Sequence, residues 1–415
     1  MTETYVVVGA SLAGTRAVET LRTEGFDGRV VLVGAEHRLP YDRPPLSKEL
    51  ILGGRTPEDI LLRESEYYYD NDIELLLGAR VTGIDPHARR VRLDTKSVIT
   101  ADKVLICTGT APRRPDIPGL DLDGVHFLRT VDDALAVRNG MQVGGSVVIV
   151  GGGLIGMELA ASAVTLGNEV TVLERDDALL RRALGGRVGD RLAQWHRDRG
   201  VDIRTNAGVT RLEGDHRVRR VHTADGGVIE ADLVVIGIGV VPVDDLARDC
   251  GIEVDNGILV DEFGETSLSG VFAAGDVANG PNEFAGGRVR LEHWQNAQSQ
   301  GIAAARSMLG YREPYRDVPW FWSDQGELNI QAAGRIRADD AVVVRGNPEE
   351  MDFTQFHLRD GVVTAAIGVN RRRDVRAAMA MIDKQMRPDP ALLSDPSVDL
   401  RTIGDATSPE PVVPR

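Results

Sequence analysis

Gly9-Ala-Ser-Leu-Ala-Gly14 and Gly151-Gly-Gly-Leu-Ile-Gly156 decide the fold of this 415-residue chain. The first turn is entered from the apolar run Tyr5 to Val8, the second from Val147 to Val150, and each opens a helical pattern. Roughly 20 residues later each unit closes another apolar strand with an acid, as in dinucleotide-binding units. These acids are Glu36 after Val30 to Val33 and Glu174 after Val170 to Leu173. A glycine turn between a buried strand and a helix lets backbone approach a pyrophosphate, whose charge settles on the free N–H groups of the helix N-terminus. The acid then accepts hydrogen bonds from ribose hydroxyls. One such unit is weak evidence. Two complete units predict two bound dinucleotides and electrons passing between them.

The candidate residues follow directly. Gly9, Ser11, Ala13, Gly14 and Glu36 serve the first site, and Gly151, Gly153, Leu154, Ile155, Gly156 and Glu174 the second. Ser11 stands where the middle glycine belongs; its Cβ crowds a phosphate, while its hydroxyl can donate to one. Glu174 favours NADH, because a carboxylate about 4 Å from a 2′-phosphate repels it by roughly 1–4 kcal/mol per unit charge. Arg175, Arg181 and Arg182 could instead reach a 2′-phosphate, although a solvated basic face is the simpler reading.

The bulk composition restricts the remaining choices. The length calls for two or three domains. A formal charge of −15 disfavours a general nucleic-acid binder and an anionic membrane surface. Cys107 and Cys250 are the only cysteines, so neither a Cys-x-x-Cys thiol relay nor a zinc site is expected, and no metal is assigned. Cys107 lies in an apolar run and reads as a buried hydrophobe. So few cysteines suit a reducing cytoplasm. The first fingerprint begins by residue 5, so no signal peptide is expected. The stretch from Ser146 to Gly167 is apolar apart from Glu158, but its glycines suit a strand entering a nucleotide-binding helix better than a membrane span.

Along the chain, Pro44-Pro45 predicts an ordered loop from His37 that resumes helix near Lys48. Val104 to Thr110 and Leu233 to Pro242 share a pattern of apolar run, glycine turn and proline, and read as the crossings out of and back into the first domain. Their turns, Thr108-Gly109 and Gly239, join the first and second sites respectively. The expected division is a discontinuous first domain (1–112 and 243–319), a second domain (113–242), a C-terminal α+β domain (320–402) and a flexible tail (403–415). For the third domain the pattern gives three strands, Ala341–Arg345, Phe353–Leu358 and Val362–Val369, and one helix, Arg373–Gln385.

Four stretches carry a resemblance over nearly the whole chain. They are Pro40-Tyr-Asp-Arg-Pro-Pro-Leu-Ser-Lys48, Gly275-Asp276, Leu291-Glu-His-Trp-Gln-Asn-Ala297 and Phe321-Trp-Ser-Asp-Gln325. The sequence resembles FAD- and NADH-dependent ferredoxin reductases that serve bacterial Rieske dioxygenases and haem monooxygenases. The resemblance implies an α/β fold with two Rossmann-like dinucleotide-binding domains, glutathione-reductase-like, plus the C-terminal α+β domain. It implies FAD in the first unit, with Glu36 on the adenosine ribose, Arg43 near the pyrophosphate and Lys48 against the reactive edge of the flavin. It also implies that Lys48 pairs with Glu158 and that Asp276 bonds the ribityl chain. Trp294 and Trp322 would line the ring with His293 nearby, and Arg129 and the backbone around Val81 would flank the adenine. NAD(H) would visit the second unit. Disulfide reductases of this fold place a cysteine pair where this chain has Ser47 and Lys48.

The implied function is hydride transfer from NADH to FAD, then single electrons to a 2Fe-2S ferredoxin or rubredoxin that feeds an oxygenase. The alternatives are a flavin NADH oxidase or quinone or dye reductase, and a redox-sensing interaction protein like apoptosis-inducing factor. No nucleic-acid or membrane partner is expected, and the chain is expected to be a monomer or weak dimer. The basic residues Arg371, Arg372, Arg373, Arg376, Lys384 and Arg387 read either as a solvated helix face or as a docking patch for a small acidic iron–sulfur protein.

Overall fold

The computed structural model describes residues 3–405, the Arg182 side chain apart, so 406–415 of the expected tail lie outside the described residues. Two five-stranded parallel sheets form the body. In the first the order is Val271–Ala273, Lys103–Ile106, Thr4–Val8, Arg29–Gly34, Ile73–Leu77. In the second it is Val201–Arg204, Glu169–Leu173, Ser146–Val150, Leu233–Ile236, Val125–Phe127. The central strands are almost wholly apolar because both faces are covered, as parallel sheets require. Each buried Val or Ile there contributes roughly 1.5–3 kcal/mol of transfer free energy.

The sheets match except at one edge. The last strand of the first sheet returns from far along the chain, at Val271–Ala273. The corresponding strand of the second, Val125–Phe127, precedes its glycine turn. Between the two sheets run the crossings Thr110–Pro112 and Val240–Pro242, which pair with each other as a two-stranded antiparallel ribbon. Each unit also carries a three-stranded antiparallel sheet: Val81–Asp85 with Arg90–Leu93 and Val98–Thr100, and Val209–Glu213 with Arg220–Thr223 and Val228–Glu230.

The segment expected as an ordered loop resumes helix beside Lys48, at Glu49–Leu52, and Pro44 and Pro45 open a 3-10 turn, Pro44–Ser47, that leads into it. Proline is tolerated there because a first helical turn has no intrahelical use for the missing N–H. The C-terminal domain has five antiparallel strands, not three, in the order Trp320–Gln325, Leu328–Gly334, Val362–Val369, Asp352–Arg359, Ala341–Asn347. Helix Arg372–Asp383 covers this sheet through Val375, Ala378, Met381 and Ile382, and Ile403, at the start of the expected tail, is buried in the same core.

Helix Leu12–Thr23 follows the first glycine turn, and helix Trp294–Met308 lies across it. Glycine permits that approach: a Cβ on Gly301 would lie 2.4 Å from the Ala13 carbonyl oxygen. Among the described residues no helix is long and apolar enough to cross a membrane.

A Cβ on Gly14 would sit 2.1 Å from the Gly9 carbonyl oxygen, whereas one on Gly186 would meet nothing within 4 Å. Gly14→Ala is therefore expected to lower stability by about 1–3 kcal/mol. Gly186→Ala, at the start of the helical segment that follows the break at Gly185, should leave stability unchanged or raise it by up to about 1 kcal/mol. Thermal and denaturant unfolding of the two variants checks the contrast.

Candidate functional site

A cleft gathers residues from all three parts of the chain. Its empty space, the open solvent at its mouth included, is about 1230 Å³. Its walls come from the first glycine turn (Ser11, Ala13), the segment Tyr41 to Lys48, Gly109, Arg129, Asp276, helix residues Leu154, Ile155 and Glu158, and His293, Trp294, Phe321 and Trp322.

Both glycine turns are built for close approach. Gly9 and Gly151 take φ of +120° and +112°, and a Cβ on either would collide with a neighbouring carbonyl, at 2.1 Å from Cys107 O and 2.4 Å from Gly237 O. The middle positions differ. Ser11 caps its helix in an extended conformation without spending its hydroxyl on a cap bond. A Cβ on Gly153 would meet nothing within 4 Å, which leaves room over the helix N-terminus for a phosphate.

The two acids are held by the protein itself. Glu36 accepts from the Tyr41 hydroxyl at 2.6 Å and pairs with Arg43 at 2.9 Å. Arg43 also donates to the Arg129 carbonyl, and Arg129 pairs with Asp276 at 3.4 Å, so two ion pairs joined through that carbonyl meet at this end of the cleft. Glu174 accepts from the Gly152 and Asp176 amides at 2.7 and 2.8 Å, which ties the acid to the turn it follows. Arg175 and Arg181 pair with Asp176 and Asp177 at the surface.

Lys48 and Glu158 meet at the centre. Lys48 Nζ lies 3.3 Å from Glu158 Oε1, with the two side chains 14% and 8% exposed. Two hydroxyls complete the carboxylate's partners: Ser47 donates to Oε2, and Ser323 donates to Oε1 at 2.7 Å. Burial pushes the Glu158 carboxyl upward from the usual carboxylate range, while Lys48, Ser47 and Ser323 pull it back. Ser47 and Ser323 were not singled out as partners, although both lie in stretches quoted above; no periodicity says which hydroxyl a distant acid will find.

Not every expected residue reaches the cleft. Val81 is buried in the core of the first small antiparallel sheet. The Thr108 hydroxyl donates to the Val243 carbonyl at 2.6 Å, and Gly239 is an exposed turn residue at φ +96°. Trp294 and Trp322 meet edge-to-face at 5.8 Å, and the indole of Trp294 donates to Asp42 at 2.7 Å.

His293 speaks to what the cleft holds. Its Nδ1 is buried without a protein partner, and burial lowers its pKa to about 4, so the ring is neutral near pH 7. An orphaned acceptor or donor at the wall, an uncommitted Ser11 hydroxyl, and amides over an open Gly153 together suit a large polar cofactor with phosphates.

A model of the pyridine nucleotide-disulphide oxidoreductases matches residues 3–301, and one described as reductase C-terminal matches 320–404. The chain belongs to the pyridine nucleotide-disulphide oxidoreductase family. It is 40% identical to the ferredoxin–NAD(+) reductase component of the anthranilate 1,2-dioxygenase system of Burkholderia cepacia, over 96% of this chain and 98% of that one. It is 39% identical to the rhodocoxin reductase of Rhodococcus erythropolis, covering 95% and 93%. The fold superposes on putidaredoxin reductase, solved in covalent complex with putidaredoxin, with a TM-score of 0.93, 34% identity and 96% and 97% coverage. The thiol pair in the family's description has no counterpart in this cleft. Cys107, the one cysteine at its wall, is fully buried and its pKa is driven up by that burial.

Replacing Lys48 by Met removes the main influence opposing burial at Glu158. The native state then holds the proton to higher pH than the unfolded chain does, so stability is fullest below about pH 4 and falls as pH rises. By neutral pH the loss should reach about 3–5 kcal/mol. Denaturation of Lys48→Met between about pH 5 and 8 should show this slope, and Lys48→Met/Glu158→Gln should lack it. Parallel profiles would mean that Glu158 is not the stranded charge.

Proposed function

We propose that this protein is a flavoprotein that takes hydride from NADH onto FAD and passes electrons singly to a 2Fe-2S ferredoxin or rubredoxin serving an oxygenase. The observation that carries the reading is the buried Lys48–Glu158 pair, which joins the cleft over the first glycine turn to the helix of the second. The relatives named above are reductases of this type, and their likeness covers nearly the full length of both partners.

The first turn, Ser11 and Arg43 would hold the FAD pyrophosphate, Glu36 and Arg129 the adenosine side, and Asp276 the ribityl chain. The second turn and Glu174 would hold NADH. When bound, FAD supplies the conversion of a hydride's electron pair into two single electrons. The chain's own work is positional and electrostatic. Lys48 keeps an ammonium at the wall where negative charge grows, Glu158 holds that ammonium in place, and the neutral His293 brings no competing charge. Without a cysteine relay, electrons must leave by the surface. A reducing cytoplasm is the compartment that suits two unpaired thiols.

For docking, the basic residues divide. Arg371 is committed to Asp352, Arg372 to Asn329 and more distantly to Asp324, and Arg387 to the Asp360 carbonyl. Arg373 and Arg376 are exposed on helix Arg372–Asp383 and are the cations to test.

The purified protein should be yellow and should bleach with NADH faster than with NADPH. Lys48→Ala should retain FAD but slow reduction by NADH roughly 100-fold in stopped flow; unchanged kinetics would remove Lys48 from the reading. Arg373→Glu/Arg376→Glu should slow ferredoxin reduction more at low salt than at high, without changing reduction by NADH. Rapid reoxidation by air with no gain from any ferredoxin would favour an oxidase instead.

A further inference from the structure

Behind the Lys48–Glu158 pair runs a line of buried polar groups that the proposed chemistry does not use. Ser323 and Gln325 lie two residues apart on strand Trp320–Gln325, share a face and are both 0% exposed. Ser323 Oγ reaches Glu158 Oε1 at 2.7 Å, and Gln325 Nε2 reaches Ser323 Oγ at 3.2 Å. Gln325 Oε1 lies 2.8 Å from Nε2 of His196, which is 1% exposed on helix Arg181–Arg197 of the second unit. The line crosses from the second unit into the C-terminal domain and back.

Its direction follows from Glu158. With Glu158 ionised beside Lys48, its carboxylate only accepts, so the Ser323 hydroxyl donates to it. Ser323 has one hydrogen to give and must itself accept from the Gln325 amide NH₂. That fixes the amide orientation, presents Oε1 to His196, and requires the Nε2–H tautomer. The opposite amide orientation would turn the Ser323 hydrogen away from Glu158. All three bonds therefore point at Glu158, and such chains strengthen by mutual polarisation in a low-dielectric interior.

We infer that His196 and Gln325 are positioning residues that hold Glu158 ionised, and with it Lys48 charged and in place, through this one-way donor chain. The inference rests on the role proposed above for the Lys48–Glu158 pair. Lys48 is the one ionic partner of Glu158 among the described residues, and Arg199 and Glu327 are the charged groups that act on His196. Burial lowers the pKa of His196, which suits a neutral donor.

The first test needs no variant. In full-length protein labelled with ¹⁵N-histidine, one imidazole should persist as the neutral Nε2–H tautomer from pH 5 to pH 8, its assignment to His196 checked by its loss in His196→Gln. An Nδ1–H tautomer overturns the chain's direction, and a protonated ring overturns the neutral donor at its end. The second test follows the Glu158 carboxylate band by infrared difference against Glu158→Gln. Its midpoint should move up by roughly one pH unit in Gln325→Met and in His196→Leu. His196→Gln, which keeps an N–H donor, should restore it. Equal midpoints in all variants, or no rescue by glutamine, would refute the positioning role. The acid limb of flavin reduction by NADH should shift in step. A shifted band with an unshifted limb would keep the chain and reject the role given to Glu158 in flavin reduction.

Discussion

A carboxylate placed in the middle of an apolar helix governs this structure. Glu158 sits among Met157, Leu159 and Ala160, each essentially sealed from solvent. Left unpaired, such a charge is strongly destabilising. Its compensation comes from outside its own unit: Lys48 and Ser47 from the first, and Ser323 from the C-terminal domain. The three parts of the chain are thus organised around one acid. Because hydrogen bonds and ion pairs are directional where apolar packing is not, this acid constrains relative placement more tightly than the surrounding hydrophobic surface does.

The same economy of charge recurs along the cleft. Glu36, Arg43, Arg129 and Asp276 form two ion pairs joined through the Arg129 carbonyl, so that each side chain is answered by a neighbour of opposite sign. Glu174 shows a milder form, accepting from two backbone amides at the turn it belongs to. Against this background the uncommitted groups, Ser11 Oγ and His293 Nδ1, stand out as places where the protein leaves hydrogen-bonding capacity for something else.

Much of this was legible in the sequence, for reasons that differ by element. The two parallel sheets follow from uninterrupted Val, Ile and Leu runs and from glycines whose positive φ no other residue adopts cheaply, as at Gly9 and Gly151. The juxtaposition of Lys48 and Glu158 came from the resemblance alone, since nothing local brings residues so far apart together. Strand Trp320–Gln325 escaped because its first three residues are all aromatic and the next three polar, which defeats a period of two. Helix Trp294–Met308 escaped because its buried residues, Asn296, Ala297, Gly301, Ala304, Ala305, Ser307 and Met308, are, apart from the last, small or polar and give little apolar contrast. The donor line through Ser323 and Gln325 is a tertiary fact. Uncharged polar residues carry no sequence signal of which buried group they will meet.

The placement of Ser323 limits how freely the parts of this protein can be exchanged. The C-terminal domain has a sheet and core of its own, and by that measure looks like a cassette to be traded between relatives to alter the choice of redox partner. Its first strand, however, carries the hydroxyl that completes the coordination of an acid in another unit, and Phe321 and Trp322 beside it form part of the cleft wall. A graft joined before Trp320 imports a new set of neighbours for Glu158 along with the new surface. A join placed after Gln325 keeps the electrostatics of the host. The useful seam for recombination therefore lies inside the domain, not at its edge.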